Sequence, residues 1–241
     1  MFRLESGLNE TRAEAELNRT IFQLNEFSDT LNNGSDFKAI ESSKNKDQTL
    51  VKINQAIGPV VVFGASNFPF AYSTIGGDTA SAIAAGCPVI VKSHPMHAGT
   101  GDLVSQLVIK AAIETGMPDG VFSNLNANGH SLGQFLVKHR HVKAVGFTGS
   151  VKGGMALHRL AQNRKEPIPF FAEMGSLNPV VILPESLEEK AGEIVKRIAS
   201  SISLDAGQFC TNPGLIIGLK SESLNDFNQA LKSELGKQDP Q

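Results

Sequence analysis

Apolar and polar positions divide the chain into two regimes. Near the start, Thr11 followed by Glu14 has the form of a capping box, and Leu17, Ile21, Leu24 and Leu31 then recur at helical spacing, which predicts a long amphipathic helix. Residues 32–49 turn polar, with Asn-Asn-Gly at 32–34 and a Ser/Lys/Asn run, the signature of a surface connection or an irregular hairpin. From Gly58 onward, short apolar β-branched runs alternate with longer amphipathic stretches, as in a parallel sheet covered by helices. Strands are predicted at 60–63, 88–92, 121–125, 144–147, 169–173, 180–183 and 215–219, and helices at 69–85, 98–115, 132–138, 155–162, 186–203 and 224–235. The fold class is therefore α/β. The expected organisation is a helix and connection over 1–57, a sheet domain over 58–175 and the beginning of a further α/β domain over 176–241.

Composition narrows the function classes. A chain of 241 residues with 41% hydrophobic content can bury a full core and suffices for one large domain or one and a half. Its net charge of −2, with scattered lysines, provides no basic field for nucleic acid. Cys87 and Cys210 are the only cysteines, too few for a disulfide framework and without the spacing of a metal site, which points to the reducing cytosol. Residues 1–19 carry Glu5, Glu10, Glu14 and Glu16 and no apolar core, unlike a signal peptide. The longest apolar run is cut by Gly58, Pro59 and Gly64, far short of a membrane span. A soluble cytoplasmic protein is expected, with neither membrane nor nucleic acid as partner.

Five segments could carry chemistry. In Phe147-Thr-Gly-Ser-Val-Lys-Gly-Gly154 a strand runs through glycines into a helix; Gly149 and Gly154 would let backbone approach a dinucleotide, with Ser150 where helix N–H groups favour phosphate. The plain alternative is a glycine turn between strand and helix. Lys92 ends the strand 88–92, at the sheet edge where α/β proteins bind ligands, or is simply a solvated strand end. Cys210 lies in Ala206-Gly-Gln-Phe-Cys-Thr211, where a thiolate would attack a carbonyl; a lone cysteine is otherwise a small buried hydrophobe, a reading that suits Cys87. Glu173, in Phe170-Phe-Ala-Glu-Met-Gly175, leaves an apolar strand; the desolvation expected there suits a general base, and a turn-capping acid is the alternative. Asn67, just before Phe68-Pro69, offers an amide to an oxyanion or simply makes a turn.

Taken in order, ASNFPF, CPVIVK, GFTGSVKGG, FAEMG and GQFCT resemble the aldehyde dehydrogenase superfamily from about Glu5 to Leu219. GASNFP, the Gly-Gly-Asp at 76–78 and FAEMGSLNP are most similar to its NAD(P)-dependent α-ketoglutarate semialdehyde (2,5-dioxovalerate) and fatty aldehyde branches. The resemblance implies a Rossmann-like parallel sheet with flanking helices, a second α/β catalytic domain and an oligomer-forming β-hairpin. It implies Cys210 as nucleophile, Glu173 as the base for deacylation, and Asn67 with the Cys210 N–H as oxyanion donors. Lys92 would hold the adenosine ribose, Gly149, Ser150 and Gly154 would line the pyrophosphate and nicotinamide side, and Phe147 and Thr148 would lead into the site.

Two departures qualify the transfer. Around Lys92 stand Ser93, His94, Pro95 and His130. Proline offers no side-chain donor and histidine is cationic only in acid, so NAD and NADP both stay open. The family pattern also continues well beyond Gln241 and begins before Met1, so a fragment is expected, weakly active or inactive alone. Its alternative is a non-catalytic dinucleotide-binding piece. The family is usually homo-oligomeric, and an unpaired strand edge favours aggregation or pairing with a missing half.

Overall fold

The computed structural model describes residues 1–34, 40–45 and 48–237, with the side chains of 40–49 outside the description. The chain divides into two compact units, Met1–Met174 and Gly175–Gln241.

The first unit opens with a short helix α1 (Phe2–Ser6) and a long helix α2 (Glu10–Asn33). Its cap differs from the predicted box. Asn9 is the N-cap, accepting from the Arg12 N–H at 2.8 Å, and Thr11 lies inside the helix. Strands β1 (Ile40–Asn45) and β2 (Gln48–Lys52) then pair antiparallel, the irregular hairpin among the two options for the polar stretch, although residues 35–39 and 46–47 lie outside the described part.

Five parallel strands follow: β3 (Val60–Phe63), β4 (Val89–Lys92), β5 (Phe122–Leu125), β6 (Ala144–Thr148) and β7 (Phe170–Glu173), in spatial order β5-β4-β3-β6-β7. Pro88 and Pro169, expected as the first residues of their strands, fall just outside the observed ones. Lacking an N–H, each joins the ladder only as an acceptor, from Val60 and Val145 respectively. The helices are α3 (Gly77–Ala84), α4 (Ala98–Glu114), α5 (Ser131–Lys138) and α6 (Val151–Gln162). Two apolar layers sandwich the sheet, one around Val61, Val137, Val145 and Phe147, the other around Val62, Val89, Val91 and Phe122.

The helix predicted over 69–85 is broken. A single wide turn covers Phe70–Thr74, Tyr72 and Ser73 leave helical geometry, and α3 starts only at Gly77. The chain doubles back so closely that a Cβ on Gly76 would lie 2.3 Å from the Ala71 carbonyl oxygen, an approach that only glycine permits.

The burial of α2 reverses what its amphipathic pattern suggests. Leu17, Ile21 and Leu31 are 44, 47 and 45% exposed, whereas Glu16 is 2% exposed and Thr20 3%. An apolar stripe ordinarily turns to the core; here polar bonding decides the rotation. Glu16 Oε1 accepts from the N–H groups of Phe70 (2.6 Å) and Ala71 (3.0 Å), and its other oxygen meets Arg12 Nε at 3.4 Å. Burial pushes the Glu16 carboxyl above its usual range, against the pull of those two N–H groups and Arg12.

The second unit is a β-α-β-α segment: β8 (Pro179–Ile182), α7 (Pro184–Ser203), β9 (Leu215–Gly218) and α8 (Glu222–Leu235), with β8 and β9 parallel. Ile182, Leu187, Val195, Ile198, Phe227 and Leu231 form its own core.

Two stability tests follow. Glu16→Ala strands two amide N–H groups and removes the carboxylate facing a largely buried guanidinium and is expected to cost about 3 kcal/mol in urea unfolding; a loss within experimental error shows that the contact carries no stability. Glu5 accepts from Gly99 N–H, Thr100 N–H and the Thr100 hydroxyl, each at 2.7 Å, capping α4. Burial pushes its carboxyl up, but the Thr100 and Gly99 bonds and the field of His97 outweigh it and hold the group below the usual glutamate range. A depressed carboxylate stabilises the fold above its unfolded pKa, and that contribution is lost as pH falls through the folded pKa. Thermal melts of wild type and Glu5→Gln are expected to differ at neutral pH and converge in acid below the ordinary glutamate range.

Candidate functional site

Strand order reverses between β3 and β6, since β4 and β5 extend the sheet on one side of β3 while β6 and β7 extend it on the other. Beyond the carboxyl ends of such a pair the outgoing connections part, leaving the crevice in which open α/β sheets hold ligands. Asn67, Lys92, His130, Thr148, Gly149, Ser150 and Glu173 all lie at this edge, at or just beyond strand ends. A concavity of about 610 Å³, lined by Lys138, Arg140, His141, Arg164 and others, lies toward the opposite edge, among the carboxyl ends of α5 and α6. Neither cysteine lines it.

The loop after β3 is held from several directions. Arg12 Nη2 donates to the Asn67 carbonyl at 3.2 Å, and its guanidinium lies 4.3 Å from the centre of the Phe68 ring. Arg19 donates to the Tyr72 hydroxyl. From beneath, fully buried His97 meets the Ala65 carbonyl through Nε2 at 2.6 Å, so that nitrogen carries the proton. The sequence signals Asn67 through its motif. Its holders Arg12, Glu16, Arg19 and His97 are distant along the chain and carry no local signal.

Lys92 is buried at the end of β4, and desolvation pulls its ammonium below the usual range. His94 is pushed down to about 4, by burial first and then by His97 and Lys92, so its imidazole is neutral near pH 7. Ser150 caps α6, its hydroxyl accepting from Gly153 N–H at 3.2 Å. The glycines here also serve the protein interior. A Cβ on Gly149 would lie 2.8 Å from the Phe147 ring, and one on Gly154 would lie 3.0 Å from that ring and 2.9 Å from Met174 Sδ. Phe147 is itself a core residue stacked with Phe170, so it reaches this edge only by setting the path of the turn above it. His130 is exposed at the start of α5.

Glu173 pairs with Thr148 across β6 and β7, and its carbonyl accepts from Gly149 N–H at 3.0 Å. Its side chain is exposed, at the last residue of the strand, so burial within the apolar strand does not extend to it. A second acid near this face is Asp78, in the first turn of α3. Its residue surface is exposed like that of Glu173, while its carboxyl lies over the β6 strand at Gly146; partial burial first, then the charge of Glu173, pushes that carboxyl up.

In the second unit, Cys210 is exposed and Cys87, in the first, is buried. The backbone around Cys210 is pinned. Its carbonyl accepts from the Ser176 hydroxyl and from Asn178 Nδ2 at 2.6 Å, and Asn178 also reaches the Asn212 carbonyl at 2.9 Å. Asn212 in turn donates to the carbonyls of Ile202 (3.2 Å) and Gly207 (3.1 Å). Ser176 and Asn178 belong to the FAEMGSLNP stretch, which sequence reasoning used only for its likeness. No helix among the described residues is long and apolar enough to cross a membrane.

Comparison with known proteins bears on this arrangement. The α-ketoglutaric semialdehyde dehydrogenase of Acinetobacter baylyi is 45% identical over 233 residues, 94% of this chain and 44% of that protein. The α-ketoglutaric semialdehyde dehydrogenase 2 of Azospirillum brasilense is 46% identical, over 97% of this chain and 46% of its own. The chain thus spans less than half the length of these relatives. Among solved structures, an NAD-dependent aldehyde dehydrogenase from Sinorhizobium meliloti superposes with a TM-score of 0.80 at 24% identity, covering 96% of this chain and 43% of that one. The NADP complex of glyceraldehyde-3-phosphate dehydrogenase GapN from Methanocaldococcus jannaschii gives 0.80 at 20% identity, over 95% and 47%. The profile of the aldehyde dehydrogenase family matches residues 1–238, and the chain belongs to that family.

Proposed function

We propose that this chain supplies the nucleophile, the base and the cofactor-binding edge of an enzyme that oxidises an aldehyde, specifically a semialdehyde, to its carboxylate with NAD or NADP. The observation that carries the reading is Cys210, an exposed thiol on a loop whose backbone is fixed by Ser176 and Asn178. The semialdehyde assignment rests on the names of the two relatives near 45% identity.

The residues at the reversal of strand order fit a dinucleotide. Lys92, buried and without a carboxylate partner among the described residues, would donate to ribose hydroxyls. The capped start of α6 at Ser150 suits a phosphate, with Thr148, Gly149 and Gly154 shaping the turn and His130 at the rim. When bound, the nicotinamide supplies the hydride acceptor. The Cys210 thiolate adds to the aldehyde carbonyl, and the Asn67 amide and the Cys210 N–H stabilise the oxyanion. After loss of hydride the acyl group remains as a thioester on Cys210. Glu173 takes a proton from water, the water oxygen attacks the acyl carbon, and the carbon–sulfur bond breaks to restore the thiolate.

A second reading, a dinucleotide-binding piece without turnover, is favoured by the chain's coverage of less than half of its relatives. The two separate in one experiment, incubation with NAD or NADP and a dicarboxylic semialdehyde while following absorbance of the reduced nicotinamide. Turnover that Cys210→Ala abolishes supports the enzyme. Thermal stabilisation by cofactor without turnover supports the second reading, and neither signal defeats both. Independently, Asn178→Ala removes two hydrogen bonds from the Cys210 loop and is expected to cost about 2 kcal/mol. Amide exchange at Phe209–Asn212 should accelerate, and unchanged exchange would show that the loop is held by other means.

A further inference from the structure

The Gly-Gly-Asp at 76–78 has a place in the fold that the proposed chemistry leaves unused. Asp78 extends from the first turn of α3 across the sheet to Gly146 on β6, where a Cβ would lie 2.9 Å from Asp78 Oδ2 and 3.3 Å from its Cγ. Only a glycine leaves that space to the carboxylate. In the β6–β7 ladder Gly146 pairs with Phe171 and Thr148 with Glu173. Side chains alternate along strands, so Gly146's vacant side, Thr148 and Glu173 share one face. Asp78 therefore lies on the face that presents Glu173, two rungs below it and one strand across.

No cation among the described residues is ion-paired with Asp78. Helix α3 packs on α2, the Phe70–Thr74 turn, β3 and β4. Their titratable groups near this end are Glu16, Arg19, Tyr72 and Lys92, yet the charge that acts on Asp78 is that of Glu173. From α2 it is the uncharged Gln23 amide that lies against Gly77. Neither carboxylate forms an ion pair among the described residues.

We propose that Asp78 is the second station for the proton that Glu173 takes from water, a positioning and relay residue acting through Glu173. The role rests on Glu173 being the deacylation base. In that step a water O–H bond breaks toward Glu173, the water oxygen bonds to the acyl carbon, and the electron pair of the broken carbon–sulfur bond returns to Cys210. The proton on Glu173 then passes to Asp78, directly or through one water, and leaves from the solvent-facing edge of Asp78. Glu173 is again a carboxylate for the next turnover, and the transfers involve only protons. Desolvation and the neighbouring charge make Asp78 a better proton holder than an ordinary aspartate.

Two measurements test this. In the first, aspartate carboxyl carbons of the whole chain are ¹³C-labelled and titrated by NMR, with the Asp78 signal assigned by its loss in Asp78→Asn. The expected midpoint lies above the ordinary aspartate value of about 3.9, and Glu173→Gln, at an exposed position, moves it down. An Asp78 midpoint that Glu173→Gln leaves unmoved overturns the relay. In the second, Cys210 is acylated with p-nitrophenyl acetate and the burst and the later loss of the acyl group are followed across pH. Asp78→Asn is expected to preserve the burst and slow deacylation by about 100-fold, the lower end for a proton-transfer group, with a changed pH profile. Asp78→Glu is expected to restore most of the rate. Equal deacylation in wild type and Asp78→Asn sinks the relay while leaving the enzyme reading intact. Absence of any burst in wild type defeats the enzyme reading and the relay with it, whereas the titration then still reports whether the carboxylates are coupled.

Discussion

Parallel pairing of β3 with both β4 and β6 is the constraint from which the arrangement of the first unit follows. Val60–Phe63 is hydrogen-bonded on one edge to Val89–Lys92 and on the other to Ala144–Thr148, in a register that aligns Phe63 with both Lys92 and Phe147. Because each crossover must return to the same end of the sheet, the loops leaving β3, β4, β6 and β7 emerge along one edge. Asn67, Lys92, Ser150 and Glu173 share that edge although they are spread over more than a hundred residues. A register shift of one residue would turn every side chain of a strand to the opposite face, taking Glu173 away from Thr148 and from the space left open by Gly146.

What could be read from the sequence follows from which forces are local. The central strands β3 and β4 are short β-branched runs covered on both faces, and burial of Val61, Val89, Val91 and Val145 leaves a strong apolar signal. Their limits were clear to within a residue or so, because prolines mark where donor groups end. The motifs at strand ends were equally legible, since a glycine turn or a terminal lysine is a local pattern. The break at Tyr72–Ser73 was not, because it depends on Gly76 meeting the Ala71 carbonyl after the chain has doubled back. The rotation of α2 was hidden for the same kind of reason. Its leucines suggested one buried face, but two backbone N–H groups more than fifty residues away demand Glu16, and a buried donor left unsatisfied costs about 1–3 kcal/mol.

The same distinction explains the acids. A strand pattern indicates that Glu173 follows apolar residues, but desolvation is a property of the space around a carboxylate, and that space is set by tertiary neighbours. Both Glu173 and Asp78 keep exposed surface, but the Asp78 carboxyl, at the start of a helix, lies over the sheet in the space left by the missing side chain of Gly146. The informative residue in sequence was thus a glycine in the middle of an apolar strand. Such a glycine weakens the strand unless another group occupies its place.

The loop bearing Cys210 is a balance between strain and hydrogen bonding. Asp205 and Ala206 adopt left-handed backbone conformations, with φ of 46° and 54°, just before Gly207 at 72°, and two non-glycine residues there cost together about 2–4 kcal/mol. Against this stand the hydrogen bonds of Ser176, Asn178 and Asn212 to carbonyls on both sides of the loop, each contributing about 1 kcal/mol. Gain and cost are of similar size, so the loop keeps its path only while the amides of Asn178 and Asn212 stay in place. The sulfur remains exposed because these bonds use the backbone around Cys210 and leave its side chain out. A well-packed apolar loop would hold its shape with a larger margin, but it would do so by burying the thiol.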